Sequence, residues 1–522
     1  MNPVVTGRAL LDSRLGAVTM YRLVTIALAA LAVISMLYSG IGSFGEGLFS
    51  IGGQISSLLV VLIVTVGSTW LLARAWKVRP HLESSVITAL LLYFLFIPQT
   101  DVGMLGWLAL AAVLASASKF VLAWRGRHVF NPAAAGAFLV YVVQSVLDID
   151  PNNRIGASWW VASASLLPWV AIAALLVLYR TRRLDLGIVF VVPSLLLVMV
   201  ALHDFGQGWG DAAQTAIQTS PFVFFAGFML SEPLTLPPRR YQQMIVALVA
   251  AVVYAYPLAI LVITDSPPLF GIGDQWQVAA LLTGNLVAFG FARRSGVRLE
   301  LIERRLHGTD THELVFRSAR KHHFQPGQYA ELHLPHAGTD TRGSRRMFSI
   351  SSPPSDSAMA FSLRVPEPTS SFKRAMVDLP VGAIVQSTGV SGDFVLPRDR
   401  TVPVVLVAGG IGVTPFLSQL RHAPDRDAVL VYGVPSGENI PFADELADFR
   451  VVLVSPTYPS RLPGAWTWVE APFLSAARVE EAVPDLASRR AFVSGPPIMV
   501  NAVRAGLSKR CRSVRTDYFS GY

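Results

Sequence analysis

The first 292 residues alternate between long apolar runs and short polar loops. The apolar runs lie at 21–39, 55–73, 84–98, 102–123, 129–147, 157–179, 186–202, 214–231, 243–263 and 276–292. A helix needs about 20 apolar residues to cross the roughly 30 Å of hydrocarbon in a bilayer. The pattern therefore predicts a polytopic α-helical membrane domain of about ten spans, of which the third and eighth fit this length least well.

The basic residues of the loops predict the orientation of these helices. Many arginines lie in the loops that would share one side of the membrane, whereas the opposite loops carry only Arg154. Cytoplasmic loops are the ones enriched in Lys and Arg. The first run is longer than a signal-peptide core, which predicts a retained anchor. We therefore expect a multi-pass protein of the cell (inner) membrane, in contact with lipid, with both termini in the cytoplasm.

Local similarities between the two halves of this region fit a five-plus-five inverted repeat. The third run ends in IPQT at 97–100, and the eighth ends in SEPLT at 231–235. The fifth opens with FNPAAAGAF at 130–138, and the tenth contains GNLVAFG at 284–290. Interrupted helices of this kind can line a polar pocket. The alternative is that proline and glycine are simply common in membrane helices.

The pattern changes near residue 295. Runs such as 299–303 and 329–334 alternate apolar and polar residues between turns, which predicts a small antiparallel β-barrel. Apolar strands at 402–408, 428–432 and 490–493 are separated by longer segments, which predicts an α/β nucleotide-binding fold. We therefore expect a membrane domain at 1–295, a β-barrel domain at 296–398 and an α/β domain at 399–522.

Composition narrows the chemistry. The chain is 52% apolar and 15% charged, with a net charge of +9. No Lys/Arg stripe is interleaved with aromatic residues, so membrane topology explains the charge and we expect no nucleic acid partner. The single cysteine, Cys511, excludes an intrachain disulfide and a four-thiolate iron–sulfur cluster. The histidines of the membrane half, His81, His128 and His203, lie at the ends of spans on two sides. We therefore expect no haem pair and no metal site.

Three motifs in the second half carry candidate redox chemistry. The run RMFSISS at 346–352 is expected to present a cation, an aromatic ring and a hydroxyl on the same face of one extended strand. Arg346 would then grip a diphosphate, Phe348 would pack on the cofactor and Ser349 would hydrogen-bond a flavin ring. The run GGIGVTP at 409–415 is a strand-to-helix turn whose backbone N–H groups can approach phosphate. A later strand ends in SGPP at 494–497, at the edge where dinucleotides lie in such sheets.

Together, these motifs resemble the ferredoxin–NADP reductase superfamily over residues 297–522. The resemblance implies an NAD(P)H-dependent FAD oxidoreductase, with an antiparallel β-barrel for FAD and an α/β domain for NAD(P)H. FAD would be held by Arg346, Phe348, Ser349, Ile350 and Ser351, with Ser370, Ser371 and Phe372 near its phosphates. NAD(P)H would lie on Gly409, Gly410, Gly412, Thr414 and Pro415, with its nicotinamide near Gly495 and Pro496. The candidate catalytic residues are Ser349 and Ser494.

The chain departs from this family pattern at two positions. Ser494 stands where the family commonly has cysteine before Gly-Pro, and Phe348 stands where tyrosine is commoner. The run YGVPS at 432–436 contains no arginine that could bind a 2′-phosphate, which favours NADH over NADPH. The terminal run 517–522 is similar to the aromatic tail that can cover the flavin, so Phe519 and Tyr522 are candidate cofactor contacts. Plain hydrophobic docking of this tail is the alternative.

The membrane half is similar to the NqrB/RnfD-like membrane subunits of the sodium-pumping quinone reductase and the Rnf complex. The similarity lies in VITALLL at 86–92, HVFNPAA at 128–134 and the break at 231–233. Members of that family often carry a flavin in the membrane, sometimes esterified to threonine in a Gly-Ala-Thr setting. The corresponding stretch here is GASWW at 156–160, with Ser158 at the acceptor position. The resemblance implies a second flavin, FMN or riboflavin, in the membrane domain.

These expectations combine into one function. We expect a membrane-bound flavoprotein that oxidises cytoplasmic NAD(P)H through FAD and passes electrons into or across the membrane, to a quinone or an extracytoplasmic redox protein. A bilayer of roughly 30 Å requires an intermediate carrier, for which a membrane flavin is the candidate. Two alternatives stay open: an inner-leaflet NAD(P)H:quinone reductase, and a transporter whose cytosolic domain senses nucleotide without turnover.

Overall fold

The computed structural model describes residues 18–42, 49–76, 82–124, 127–264, 275–291, 297–318, 323–338, 340, 344–367 and 369–519, without the side chains of 151, 258–264 and 388. These residues form two compact units. The helical unit spans Val18–Ser295, and the second unit contains Gly296–Tyr522. The change from apolar runs to alternating strands thus coincides with the border between the units.

The helical unit consists mainly of apolar helices. Its helices are α1 (Met20–Gly40), α2 (Ile51–Ala75), α3 (Leu82–Leu95), α4 (Val102–Val121), α5 (Pro132–Val146), α6 (Leu167–Arg180), α7 (Leu184–Asp204), α8 (Trp209–Thr219), α9 (Phe222–Phe224), α10 (Arg240–Thr264) and α11 (Trp276–Phe291). A π-helical turn, Phe225–Leu230, follows α9. The strands β1 (Ala123–Trp124) and β2 (Arg127–His128) form an antiparallel hairpin before α5.

The prediction of ten full-length spans is not supported. Among the described residues, four helices are long and apolar enough to cross a membrane: α1, α2, α4 and α7. Other predicted spans are shortened by local breaks. α3 ends at Leu95, ahead of Pro98, and the sixth predicted span becomes helical only at Leu167. The eighth is divided between α8, α9 and the π-helical turn. Apolar length alone did not reveal these breaks.

The two halves of the helical unit pack in the same order. In the first half, α1 and α2 pack against α3, α2 packs against α4, and α4 packs against α5. In the second half, α6 and α7 pack against the π-helical turn, α7 packs against α10, and α10 packs against α11. Each element of the first half therefore has a counterpart with the same neighbours in the second.

The second unit begins with a six-stranded antiparallel sheet, the barrel sheet. Its strands are β3 (Val297–His307), β4 (Thr311–Ser318), β5 (Tyr329–His333), β6 (Arg345–Ser349), β7 (Met359–Arg364) and β8 (Ile384–Ser391), in the order β6-β5-β8-β3-β4-β7. A bridge between Ile350 and Phe361 joins its two edges. The inward side chains include Leu299, Phe316 and Phe361, which are fully buried. The helix α12 (Ser371–Val377) adds Phe372 to this core.

The rest of the second unit is a six-stranded parallel sheet. Its strands are β9 (Val404–Gly409), β10 (Ala428–Gly433), β11 (Val451–Ser455), β12 (Trp466–Glu470), β13 (Arg490–Gly495) and β14 (Ser513–Tyr518), in the order β12-β11-β10-β9-β13-β14. The helices α13 (Thr414–His422), α14 (Ala476–Ala482) and α15 (Pro497–Leu507) cross between strands. All six residues of β9 are buried, as expected for a central parallel strand with both faces covered. The predicted order of an antiparallel β fold and then an α/β fold is confirmed.

Candidate functional site

The glycine turn at the carboxyl end of β9 lies directly against the end of β13. Gly410 has a φ of +53°, and the turn Gly410–Val413 leads into α13. A Cβ atom on Gly412 would lie 2.5 Å from the carbonyl oxygen of Ser494 and 2.7 Å from the Cα of Gly495. Only glycine allows this approach, so the two predicted nucleotide motifs meet at one edge of the parallel sheet.

Ser494 has the most unusual environment at this edge. The residue is fully buried, and its hydroxyl has no hydrogen-bond partner among the described residues. Its neighbour Gly495 has a φ of +147°, and a Cβ there would lie 2.9 Å from the terminal methyl of Met499. Buried hydroxyls are normally paired, and an unpaired one at a predicted ligand edge fits a group that the ligand supplies.

In the predicted flavin motif, Arg346 and Phe348 both contact the buried ring of Phe372. The guanidinium carbon of Arg346 lies 5.2 Å from that ring centroid, and the Phe348 ring stacks on it at 6.0 Å. Arg346 also pairs with Asp340 at 3.3 Å. Ser349 is the next residue after Phe348 and is buried, but strand alternation puts it on the opposite face. The cation and the aromatic ring therefore share a face, and the Ser349 hydroxyl does not.

The residues after β6 hold the barrel together. Ile350 lies in the barrel core. The Ser351 hydroxyl donates to Glu313 Oε1 at 3.0 Å and lies 3.1 Å from the Ser362 hydroxyl. Glu313 did not emerge from the sequence, because it occupies an ordinary alternating position of β4 and no local pattern marks it.

The predicted phosphate residues at α12 are engaged in local contacts. The Ser370 hydroxyl caps the helix by accepting from the Lys373 backbone N–H at 3.3 Å. The Ser371 hydroxyl accepts from the Asp340 backbone N–H at 3.0 Å and lies 3.0 Å from His336 Nε2. Ser371 and Arg346 therefore share Asp340 as a neighbour.

The helix that follows the glycine turn is bonded to the barrel. Thr414 begins α13 and its hydroxyl donates to the Ile411 carbonyl at 3.1 Å, while Pro415 occupies the first turn. Further along, the Ser418 hydroxyl donates to the Ser352 carbonyl at 2.7 Å, and Gln419 Nε2 donates to the Phe394 carbonyl at 2.6 Å. The glycine turn is thereby fixed relative to the end of the flavin motif.

The predicted tail contacts have different outcomes. The Phe519 backbone N–H donates to the Gly495 carbonyl at 2.8 Å, so the tail begins beside the SGPP motif. Pro496, in the same motif, occupies the N-cap position of α15. Tyr522 lies outside the described residues.

In the helical unit, two helix breaks meet at a polar cluster. His128 Nε2 lies 2.9 Å from Glu232 Oε1, and Asn131 Nδ2 donates to Glu232 Oε2 at 3.1 Å. The Asn131 backbone N–H donates to Asn285 Oδ1 at 2.7 Å. The lining of a cavity beside the cluster includes Ser84, Asn131 and Glu232. The similar breaks recognised in the sequence thus contact one another, although more than one hundred positions separate His128 from Glu232.

Comparison with known proteins concerns the second unit. Residues 406–505 match the family of the oxidoreductase NAD-binding domain. The reductase component of propane 2-monooxygenase from Mycolicibacterium smegmatis is 34% identical over 37% of this chain and 57% of the relative. The ferredoxin–NAD(P)(+) reductase component of the Ralstonia naphthalene 1,2-dioxygenase/salicylate 5-hydroxylase systems is 30% identical over 37% of this chain and 59% of the relative. The chain carries an oxidoreductase NAD-binding domain at residues 406–505.

The similarity covers only part of this chain and only part of each relative. The chain spans less than two thirds of the length of these curated relatives. Among solved structures, the Amycolatopsis cytochrome P450 reductase GcoB is 24% identical, with 43% of this chain and 71% of that chain covered and a TM-score of 0.37. The NqrB/RnfD-like resemblance of the helical unit stays a prediction.

Proposed function

We propose that this chain is a membrane-bound flavoprotein that oxidises cytoplasmic NAD(P)H through FAD and delivers the electrons into or across the membrane. The observation that carries the proposal is the contact between Gly412 and the Ser494–Gly495 strand end, next to a buried hydroxyl that has no partner in the described part of the chain. A helix that starts from the same glycine turn is bonded to the end of the flavin motif. Such an arrangement suits hydride transfer between two cofactors that must meet in one cleft.

The residues of the barrel fit an FAD. Arg346 would bind its diphosphate, because a guanidinium has five N–H donors in a planar fork that suits phosphate oxygens. Phe348 would pack on the cofactor, and Ser349, Ile350, Ser351, Ser370, Ser371 and Phe372 would complete the site. Bound FAD supplies the ability to accept a hydride and release electrons one at a time.

The parallel sheet fits a nicotinamide dinucleotide. Gly409, Gly410, Gly412, Thr414 and Pro415 would face its phosphates, because backbone N–H groups at a helix start favour anions. Ser494, Gly495 and Pro496 would meet the nicotinamide, where the Ser494 hydroxyl gains a partner. Residues 433–436, directly after Tyr432, include no arginine for a 2′-phosphate, so we propose NADH as the donor.

The helical unit would carry the electrons onward. Its repeated packing order supports a five-plus-five inverted repeat, and the meeting of its helix breaks supports a polar site within the membrane. The arginine-rich loops support cytoplasmic termini. A second flavin, FMN or riboflavin, is the proposed carrier. The relatives named as reductase components serve other components, so a quinone or an extracytoplasmic redox protein is the proposed acceptor.

Liposomes that enclose ferricyanide test this proposal. NADH is added outside to liposomes that contain the purified full-length protein, and both NADH oxidation and internal ferricyanide reduction are followed. We expect both to proceed together. In liposomes without quinone, an inner-leaflet quinone reductase would leave the enclosed ferricyanide oxidised, and it would oxidise NADH only after quinone is added to the bilayer. A nucleotide sensor would bind NADH and oxidise none, which would overturn the proposal.

A further inference from the structure

Asp340 lies where two residues of the proposed FAD site come together. Its carboxylate oxygen Oδ1 is 3.3 Å from Arg346 Nη2, and its backbone N–H donates to the Ser371 hydroxyl at 3.0 Å. The Asp340 side chain is 26% exposed, whereas that of Arg346 is only 4% exposed. A partly buried carboxylate therefore lies beside two groups that would also contact the diphosphate of FAD.

The guanidinium of Arg346 is positioned by contacts that do not involve the Asp340 side chain. Its Nη1 donates to the Arg345 carbonyl at 2.7 Å, and its central carbon lies 5.2 Å from the centroid of the Phe372 ring. Phe372 is fully buried in the barrel core and also stacks on Phe348. Removing the charge of Asp340 would leave these contacts in place, so we expect the guanidinium to keep its orientation.

The backbone of Asp340 is held by the Ser371 hydroxyl and not by the Asp340 carboxylate. The same hydroxyl lies 3.0 Å from His336 Nε2, and His336 Nδ1 lies 2.8 Å from the Leu334 carbonyl. This small network fixes the chain next to the start of α12. A substitution of the Asp340 side chain therefore changes the charge at this point and leaves the backbone contact in place.

The carboxylate opposes the binding of a second anion at Arg346. A guanidinium attracts a diphosphate through its positive charge as well as through its N–H donors. A carboxylate within hydrogen-bond distance offsets that charge and also repels the diphosphate directly. Because Arg346 is buried, salt and water screen these interactions less than they do at an open surface. Asp340 and the diphosphate would therefore compete for one cation.

We propose that Asp340 sets the affinity of the FAD site, because its carboxylate shares Arg346 with the FAD diphosphate and weakens FAD binding. This inference rests on the proposed function, since it concerns the FAD site proposed there. Arg346 alone would hold the diphosphate more tightly, so the carboxylate makes bound FAD easier to exchange with free FAD. The effect should depend on the charge of residue 340 and on salt, and little on the shape of its side chain.

Three substitutions of Asp340 separate charge from shape. Asp340→Asn and Asp340→Ala remove the charge, whereas Asp340→Glu retains it on a longer side chain. Glu331→Gln is the matched control, because Glu331 is also 26% exposed and lies 3.7 Å from Arg345, the residue next to Arg346. Neighbouring residues of a strand face opposite sides, so this control removes the same charge at the opposite face of β6.

The assay is equilibrium dialysis of detergent-solubilised full-length protein against a range of FAD concentrations, first at about 50 mM salt. Bound FAD is separated from other flavins by chromatography. We expect Kd for FAD to fall about tenfold in Asp340→Asn and Asp340→Ala, as one unit charge beside a buried cation allows. Asp340→Glu and Glu331→Gln should stay within about threefold of the wild type. At about 0.5 M salt the tenfold gain should shrink, because ions screen the repulsion.

Unchanged Kd for FAD in both neutral variants would overturn the inference. Weaker FAD binding in these variants would overturn it as well, because Asp340 would then orient Arg346 instead of competing for it. The same samples are assayed for NADH oxidation with ferricyanide. FAD-containing wild type that oxidises no NADH would refute the proposed function alone, since the dissociation constants would still report on Asp340. Absence of bound FAD from every sample would refute both.

Discussion

The close contact at Gly412 gives a quantitative prediction for Gly412→Ala. The added Cβ would lie 2.5 Å from the Ser494 carbonyl oxygen. The glycine turn and the end of β13 must therefore separate by roughly 0.9 Å to reach the ordinary contact distance of 3.4 Å. A misplacement of about 1 Å at a catalytic cleft can cost about 100-fold in rate. We therefore expect kcat/KM for NADH oxidation to fall about 100-fold, while FAD stays bound because the barrel is unaffected.

The assay compares NADH oxidation by ferricyanide with the FAD content of the same purified sample. Gly464→Ala is the matched control, because Gly464 precedes β12 in the same sheet and a Cβ there would meet no atom within 4 Å. The control should keep wild-type activity. Activity of Gly412→Ala within about threefold of wild type would refute the reasoning, as would loss of activity that simply follows loss of FAD.

Three further substitutions test other parts of the structure. Ser494→Ala removes an unpaired buried hydroxyl, so Tm should stay equal or rise while kcat/KM falls about fivefold; a lower Tm would contradict this. The pKa of Glu313 is lowered, because hydrogen bonds and charge from His307 and other neighbours outweigh the raising effect of burial. The ionised form of Glu313 therefore adds stability, which is lost as pH falls below the ordinary glutamate pKa of 4.5. Glu313→Gln should flatten the acid side of a curve of Tm against pH, and an unchanged slope would contradict this. Glu232→Ala removes the partner of His128 and should lower stability by about 3 kcal/mol, seen as a lower Tm, whereas an unchanged Tm would contradict the cluster.

The sequence predicted the second unit well because its signals are local. Alternating residues identify the barrel strands, and the turn at 409–415 is recognisable from glycines between a buried strand and a helix. The role of Gly412 required the structure, since its neighbour Ser494 is more than eighty positions away. The expectation that Arg346 and Ser349 share a face was wrong for a simple reason: three positions apart, residues of a strand point to opposite sides.

The helical unit was harder to predict from sequence. Apolar length marks where a helix can lie in a membrane, but it does not reveal where the helix begins. The segment 155–161 illustrates this, because it is apolar yet packs without helix, with the Trp159 backbone N–H donating to the Leu95 carbonyl at 3.0 Å. The contact between His128 and Glu232 depends on tertiary packing that no local pattern contains.

Anaerobic addition of NADH to the purified full-length protein tests the central claim most directly. The visible absorbance of the flavin is followed as NADH is added in steps up to one equivalent of bound FAD. The account predicts that this absorbance bleaches in proportion to the NADH added, and that it returns when ferricyanide is admitted. Binding of NADH to flavin-containing protein without any bleaching would contradict it.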